Sequence, residues 1–273
     1  MKILKKMIIK PKEQPMVSLD ASVINPEVFA NKTKQEIENL LIWQGNRRVN
    51  FGEFFEIENE AKVPPQEIEI VIEGDVSRTK HIGESMGVGT ILIRGNVGMY
   101  VGARMSGGKI VVEGNAGAWA GQEMAGGELV INGDADNYLG SAYRGGIYGM
   151  RGGIIILKGN AGNEIGEWMS GGKILIKGNV GSFAGVHMQG GTIVIEGNAK
   201  ERIGAEMKGG IILVKQCVES LLPSFLIEGE VNDPIIGDEK IIGTYFKFKG
   251  DMVMPNPKGN LYLSKIHNKH ILA

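Results

Sequence analysis

The amino-acid sequence predicts an all-β fold: a right-handed parallel β-helix of about seven coils, with a small α+β cap at the N-terminus and a β cap at the C-terminus. Two observations lead to this prediction. The frame G-[ND]-x-G-x-x-x-G-x-x-M-x-G-G-x-I-x-V-x recurs along the chain, and each copy ends in a short alternating apolar segment. A fixed period of about 20 residues is typical of stacked-repeat proteins.

Copies of the frame fill the chain from Gly74 to Lys215. From Gly95 onward the copies start at one constant interval, except that the interval from Gly133 to Gly159 is longer because the fourth copy contains an insertion. The copies open at Gly74, Gly95, Gly114, Gly133, Gly159, Gly178 and Gly197.

Two columns of large aliphatic residues follow the Gly-Gly pair of each copy. The residue after the second column is polar in every copy, as in Glu113 and Lys177. This period of two predicts a strand whose apolar face points inward. The columns are Ile91, Ile110, Leu129, Ile155, Ile174, Ile193 and Ile212, then Ile93, Val112, Ile131, Leu157, Ile176, Ile195 and Val214.

Other repeat architectures fit the sequence poorly. Several glycines in each copy would cost about 1 kcal/mol apiece inside a helix, which excludes a helical solenoid. A propeller blade needs about 40 residues, roughly twice the repeat. Coils stacked at about 4.8 Å remain, and the methionine of each copy is interpreted as core filler.

Residues outside the repeats predict three regions: an N-terminal cap at 1–65, the glycine-repeat β-helix at 66–215, and a C-terminal cap and tail at 216–273. In the N-terminal cap we expect a helix from Lys34 to about Trp43. Thr33 and Glu36 have the spacing of a capping box at its start. The caps are expected to cover the open ends of the stack.

Composition narrows the classes of function. The chain has 273 residues, a formal net charge of −1 and one cysteine, Cys217. The balanced charge gives no sign of the basic surface that binding to nucleic acid or to a membrane would need. One cysteine cannot by itself hold an iron–sulfur cluster or a structural zinc site. With no signal peptide or membrane segment recognised, we expect a cytoplasmic protein.

No catalytic constellation is found in the sequence. The four histidines are scattered, and His267 and His270 have no carboxylate or cysteine cluster beside them. Glu113 and Glu196 share a column but lie several coils apart, which indicates a solvated face rather than a glycosidase pair. We therefore predict no catalytic, cofactor-binding or metal-binding residues in this chain.

The insertion in the fourth copy is the predicted interaction site. It carries the sequence SAYRGGIYGMR from Ser141 to Arg151. An insertion in one coil must bulge outward as a loop, often on a binding face. Tyrosine and arginine are frequent interface anchors. The candidate interface residues are Tyr143, Arg144, Tyr148 and Arg151; the alternative is a tolerated surface loop.

The glycine spacing carries a resemblance to known families. The spacing G-x-x-G-x-x-x-G resembles the glycine-repeat β-helix of the glutamate synthase C-terminal domain, although Ser77, Asp136 and Lys200 depart from it. The run G-x-x-M-x-G-G-x-I-x-V-x-G, from Gly102 to Gly114, resembles the C subunit of formylmethanofuran dehydrogenase more closely. The complete spacing stands at Gly95, Gly98 and Gly102, at Gly114, Gly117 and Gly121, at Gly159, Gly162 and Gly166, and at Gly178, Gly181 and Gly185.

The resemblance implies a scaffold subunit without an active site of its own. The family's enzyme, from methanogenic archaea, reduces carbon dioxide with reduced ferredoxin and forms formylmethanofuran in the first step of methanogenesis. The implied partners are a formate-forming subunit with a tungsten or molybdenum pterin and an iron–sulfur cluster, an amidohydrolase-like subunit with a binuclear metal centre, and ferredoxin-like subunits. No cofactor is expected in this chain.

Two alternatives stay open from the sequence. One is a separate β-helix subunit of a glutamate synthase, against which stands the cap at 1–65. The other is an independent β-helix binding or sugar-processing protein. Against it stand the missing carboxylate constellation and the aromatic content of 6%, because sugar grooves use stacked aromatic side chains.

Overall fold

The computed structural model describes residues 4–60 and 62–272. Residues 1–3, 61 and 273, which belong to the predicted caps, lie outside the described residues. The described chain is rich in β-structure, with few and short helices. The strands are β1 Lys5–Pro11, β2 Leu19–Asp20, β3 Leu41–Gln44, β4 Arg47–Asn50, β5 Phe55–Glu58, β6 Ile68–Glu73, β7 Thr79–Lys80, β8 Thr90–Arg94, β9 Ser106–Val112, β10 Ala125–Ile131, β11 Gly152–Leu157, β12 Ser170–Ile176, β13 Gly190–Ile195, β14 Ile211–Val214, β15 Leu226–Asn232, β16 Ile235–Ile236, β17 Glu239–Lys240, β18 Thr244–Gly250 and β19 Gly259–Ser264.

One large sheet contains most of these strands. Its central part is parallel and runs β1-β6-β8-β9-β10-β11-β12-β13-β14-β19. Antiparallel strands close both ends, β5 beside β1 and the pair β18-β15 beside β19. The parallel ladder therefore extends beyond the glycine repeats in both directions, into residues 5–11 and 259–264.

The predicted aliphatic columns form the buried face of this sheet. Ile110 pairs in register with Leu129, and Ile174 with Ile193. Every residue of the two columns is fully buried, as is the methionine of each copy. Met150, after the insertion, takes the place of the methionine in the fourth copy. The prediction that these columns are the core is confirmed.

A second parallel ladder runs beside the first through single β-bridges. It links the small apolar residue that follows the opening Gly-Asn or Gly-Asp of each copy, for example Ala116 to Ala135. Asparagine side chains join the same turns: the Asn160 Oδ1 accepts a hydrogen bond from the backbone N–H of Asn179, and the Asn179 Oδ1 does the same for Asn198. These bonds give polar turn groups a partner in the next copy.

Glycine is required where neighbouring copies approach closely. A Cβ at Gly126 would collide with the carbonyl oxygen of Ser106 in the preceding copy. At Gly121 the backbone has φ +65°, and a Cβ would lie 2.5 Å from the Cδ1 of Ile155. The first glycine allows the close stacking, and the second makes room for a core isoleucine in a left-handed turn.

The N-terminal segment contains α1 Pro26–Phe29, α2 Lys34–Glu38 and α3 Phe51–Phe54, and 3-10 turns occur at Pro65–Glu67 and Lys269–Leu272. The capping box of Thr33 and Glu36 is present. The helix expected to reach Trp43 ends at Glu38 instead. Leu41, Ile42 and Trp43 are exposed, buried and exposed in turn. This period of two is that of a strand and not of a helix.

None of the helices in the described part of the chain is long and apolar enough to cross a membrane.

Candidate interaction surfaces

The insertion forms a strand-free loop whose candidate residues all lie at the surface. Tyr143 and Tyr148 are 55% and 63% exposed, and Arg144 and Arg151 are exposed as well. Ile147 between them is also exposed. The four residues predicted from the sequence are therefore accessible on one loop. Among the described residues, Arg144 alone of the four has a ring contact with the body of the protein.

Both ends of the loop are fixed by hydrogen bonds to the next copy. Ser141 is fully buried, and its hydroxyl bridges the copies by donating to the Glu164 carbonyl and accepting from the Glu167 N–H. At the other end the Gly149 N–H donates to the Trp168 carbonyl at 3.0 Å. These anchors hold a loop with an exposed aromatic tip in one place.

An aromatic stack lies beneath the loop. His81, Tyr100, Trp119 and Tyr138 come from four successive copies, with ring centres 4.4–5.4 Å apart. The Arg144 guanidinium lies 5.2 Å from the centre of the Trp119 ring, a cation–π distance. Burial raises the pKa of Tyr100, the nearby Tyr143 raises it further, and Arg144 opposes them.

The stack ends at the N-terminal segment. The Nδ1 of His81 lies 2.8 Å from the Oδ2 of Asp20. Burial alone would raise the pKa of Asp20, but the hydrogen bond and charge of His81 bring it below its usual value. The indole Nε1 of Trp119 is buried and has no hydrogen-bond partner among the described residues.

A cleft of about 580 Å³ opens on the same side, further along the chain. Glu164 and Glu167 lie in it, half-buried, and neither has an ion-pair partner among the residues the structure describes. Burial raises the pKa of the Glu167 carboxyl, and the charge of Glu164 raises it further. His187 stacks on Trp168 at 4.4 Å and lies 3.5 Å from the Glu206 carboxylate.

Within residues 4–60 and 62–272 no three His, Cys, Asp or Glu side chains are grouped as a metal site would need. Of the two close histidines in the C-terminal tail, His270 has its Nε2 2.9 Å from the Val218 carbonyl oxygen. Glu113 and Glu196 do not meet. Glu196 instead pairs with Lys177 and Lys215 in the neighbouring copies.

Two features of these surfaces were missed from the sequence. The aromatic stack has a signal, because its members recur with the period of the glycine frame. The second feature is an outward-facing aliphatic column between the two inward columns, which the period of two assigned to solvent. Within the glycine repeats this column contains Leu92, Val111, Val130, Ile156, Leu175, Val194 and Leu213.

Comparison with known proteins identifies the repeat. A family model described as the GXGXG motif matches residues 109–225. Over 95 residues the chain is 50% identical to the C subunit of tungsten-containing formylmethanofuran dehydrogenase 2 from Methanothermobacter wolfeii. The chain resembles the C subunit of formylmethanofuran dehydrogenase. The resemblance expected from the glycine frame is thus confirmed.

The C subunit of the molybdenum-containing enzyme is also similar to this chain. The C subunit of molybdenum-containing formylmethanofuran dehydrogenase 1 from Methanosarcina barkeri is 42% identical over 95 residues, 35% of this chain and 32% of the relative. For the Methanothermobacter wolfeii protein the aligned share is 35% of each chain. The chain spans about a third of the length of these curated relatives.

A solved structure resembles almost the whole chain. It is a chain in the crystal structure of the formyltransferase/hydrolase complex from Methylorubrum extorquens with methylofuran. The TM-score is 0.82 at 27% sequence identity, over 94% of this chain and 99% of that chain. The relatives named above are subunits of an oxidoreductase, and this structural neighbour is a chain of a multi-subunit complex.

Proposed function

We propose that this chain is a non-catalytic scaffold subunit of a formylmethanofuran dehydrogenase complex, which reduces carbon dioxide with reduced ferredoxin and forms formylmethanofuran. One observation carries the proposal: the chain matches nearly the full length of a chain from a formyl-transferring complex, while its repeats match the C subunit of the dehydrogenase. The names of these relatives favour this function over a separate glutamate synthase subunit or a sugar-processing β-helix.

The fold proposed for this scaffold is a right-handed parallel β-helix at residues 66–215, with caps at 1–65 and 216–273. Two parallel ladders support it, one through the sheet and one through the single bridges, and both advance by the same number of residues from copy to copy, 19 at most steps. Two ladders in one repeat are what successive coils of a β-helix produce. Such a stack is regular and rigid, and its sides offer long surfaces to neighbours.

The chemistry is assigned to other subunits of the complex. The proposed partners are a formate-forming subunit with a tungsten or molybdenum pterin and an iron–sulfur cluster, an amidohydrolase-like subunit with a binuclear metal centre, and ferredoxin-like subunits. In this proposal the chain binds none of these groups. It functions in the cytoplasm, without nucleic acid or membrane.

The insertion loop is proposed as one contact with these partners. Its rim combines two exposed tyrosines with two exposed arginines, while its ends are fixed by buried hydrogen bonds. A fixed loop loses little conformational entropy when it binds, so its exposed side chains are well placed as anchors. Arg144 also holds part of the loop against Trp119.

Co-purification tests the subunit assignment. An affinity tag on this chain, expressed with the other dehydrogenase subunits, is expected to recover them in fixed proportion and with formylmethanofuran-forming activity. Recovery of the chain alone, with the activity in the unbound fraction, would refute the assignment.

A loop variant tests the contact separately. Tyr143→Ala combined with Tyr148→Ala is expected to leave the melting temperature unchanged, because both rings are exposed, and to reduce recovery of the partners about tenfold or more. Met16→Ala, at another exposed position, is the matched control. Equal recovery for both variants would place the contact elsewhere.

A further inference from the structure

The outer face of the large sheet carries an unbroken apolar column, although the flanking positions are mostly polar. Each member pairs in register with the next across the parallel strands. In strand β9 the outward Val111 lies between the inward Ile110 and Val112, and Lys109 and Glu113 flank it on the same outer side. The column is Val71, Leu92, Val111, Val130, Ile156, Leu175, Val194, Leu213 and Tyr262.

One end of this column is covered by the chain's own hairpin, formed by β16 and β17. Ile236 of the hairpin is 2% exposed and forms a hydrophobic cluster with Val194 and Leu213, against which Leu175 also packs. An ion pair secures the rim, because the Lys173 Nζ lies 2.7 Å from the Glu239 Oε1. The fold thus shows what this face binds: an aliphatic hairpin with an acidic residue at its edge.

The middle of the column has no such cover. Leu92, Val111, Val130 and Ile156 remain partly exposed, and the cluster beneath the hairpin does not include them. We call these four residues the uncovered stripe. Beside it, Ile154 is 42% exposed on the outer face of β11.

The rim of the uncovered stripe is charged. Lys109 and Glu128 pair with each other at 3.1 Å on one side. On the other side Lys158 is exposed and has no ion-pair partner among the described residues. An aliphatic strip with a polar rim is the anatomy of a protein–protein contact. The lone Lys158 adds a preference for an acidic neighbour.

We propose that the uncovered stripe binds an aliphatic segment of a partner subunit, with an acidic side chain of that segment paired to Lys158 as Glu239 pairs to Lys173. The inference rests on the proposed function, since it needs a partner subunit. Continuity supports it, because the uncovered stripe is the same column that the hairpin already covers. Four parallel strands present a face about 15 Å across, wide enough for a hairpin or one helix.

Lysine substitution tests the uncovered stripe. The variant Val111→Lys, Val130→Lys, Ile156→Lys is expected to fold, because Lys109 in β9 and Lys158 directly after β11 already occupy outward positions, and lysine stems lie along apolar surface. Three charges buried in the contact are expected to weaken recovery of the complex about tenfold or more.

The matched control carries three lysines at exposed positions away from the stripe. Met16, Leu226 and Ile266 are 90%, 54% and 74% exposed and serve this purpose. Melting temperatures of both variants and of the wild type are compared first. A stripe variant that melts like the control but loses its partners supports the inference.

Thiol labelling gives a second test that does not depend on a triple variant. In a Cys217→Ala background, Val130→Cys is expected to react with maleimide in the isolated chain and to be protected in the assembled complex. Equal labelling in both states would overturn the inference. So would a wild-type level of assembly for the lysine variant.

The outcomes separate this inference from the proposed function. If the wild-type chain recovers no dehydrogenase subunits, the proposed function fails. If the wild-type chain assembles and the stripe variant assembles equally well, only the inference about the stripe fails. A Lys158→Glu variant adds a check of the charge preference, with weaker assembly expected at low salt and a smaller difference at high salt.

Discussion

Two adjacent isoleucines of strand β11 give the sharpest test of the packing. Ile155 is fully buried, pairs with Leu129 and Ile174, and fills the space beside Gly121. Its neighbour Ile154 points outward and is 42% exposed. Ile155→Ala leaves a cavity inside the stack, which costs about 2–5 kcal/mol of unfolding free energy. Ile154→Ala leaves no cavity and is expected to cost about 1 kcal/mol or less.

The two variants can be compared by thermal and denaturant unfolding. At about 2–4 °C per kcal/mol for a domain of this size, Ile155→Ala lowers the melting temperature by about 4–20 °C and Ile154→Ala by a few degrees at most. The same residue type is removed from the same strand, so strand propensity is matched. Equal losses, or a larger loss at Ile154, would refute the assignment of the inward face.

Three further predictions concern the turns, the cleft and the metal content. Gly126→Ala is expected to destabilise the fold by about 1–3 kcal/mol, because its Cβ meets the Ser106 carbonyl. Gly145→Ala in the loop meets no neighbouring atom and is expected to lose only the cost of its left-handed backbone (φ +78°), about 1 kcal/mol, so the loss at Gly126 is expected to be the larger of the two in the same melts. Burial and the charge of Glu164 raise the pKa of Glu167, so the free energy of unfolding is expected to fall as pH rises from the ordinary glutamate pKa of 4.5 through that raised pKa. Glu167→Gln is expected to reduce this dependence of stability on pH. A rise in stability over that range would contradict the raised pKa of Glu167. Elemental analysis of the purified chain is expected to find no stoichiometric tungsten, molybdenum, iron or zinc; one bound metal per chain would contradict the scaffold role.

The sequence predicted the core columns because the alternation of apolar residues within each strand can be read from neighbouring positions alone. Ile110 and Val112 alternate with less buried positions, and the pattern repeats at a fixed interval, so the strand period and the repeat period agree. The capping box at Thr33 was predictable for the same reason. The end of α2 was not, because Leu41 to Trp43 has the composition of either element and the strand β4 beside it decides the outcome.

The surfaces were predicted less completely because they depend on contacts between distant residues. The insertion was visible from its length alone, and its residues lie at the surface as expected. The role of the outward column depends on the hairpin at residues 235–240, which covers Leu213 and leaves Val111 open. No local pattern in the strands distinguishes these two positions. The cleft at Glu167 likewise needs the C-terminal segment to form one of its walls.

Reconstitution of the dehydrogenase with and without this chain tests the central claim most directly. The measured quantity is the rate of formylmethanofuran formation from carbon dioxide, together with the mass of the assembled complex. A scaffold role predicts that omission of the chain dissociates the remaining subunits and abolishes the overall rate, while the formate-forming subunit keeps its own redox activity. Full assembly and an unchanged overall rate without the chain would contradict the account.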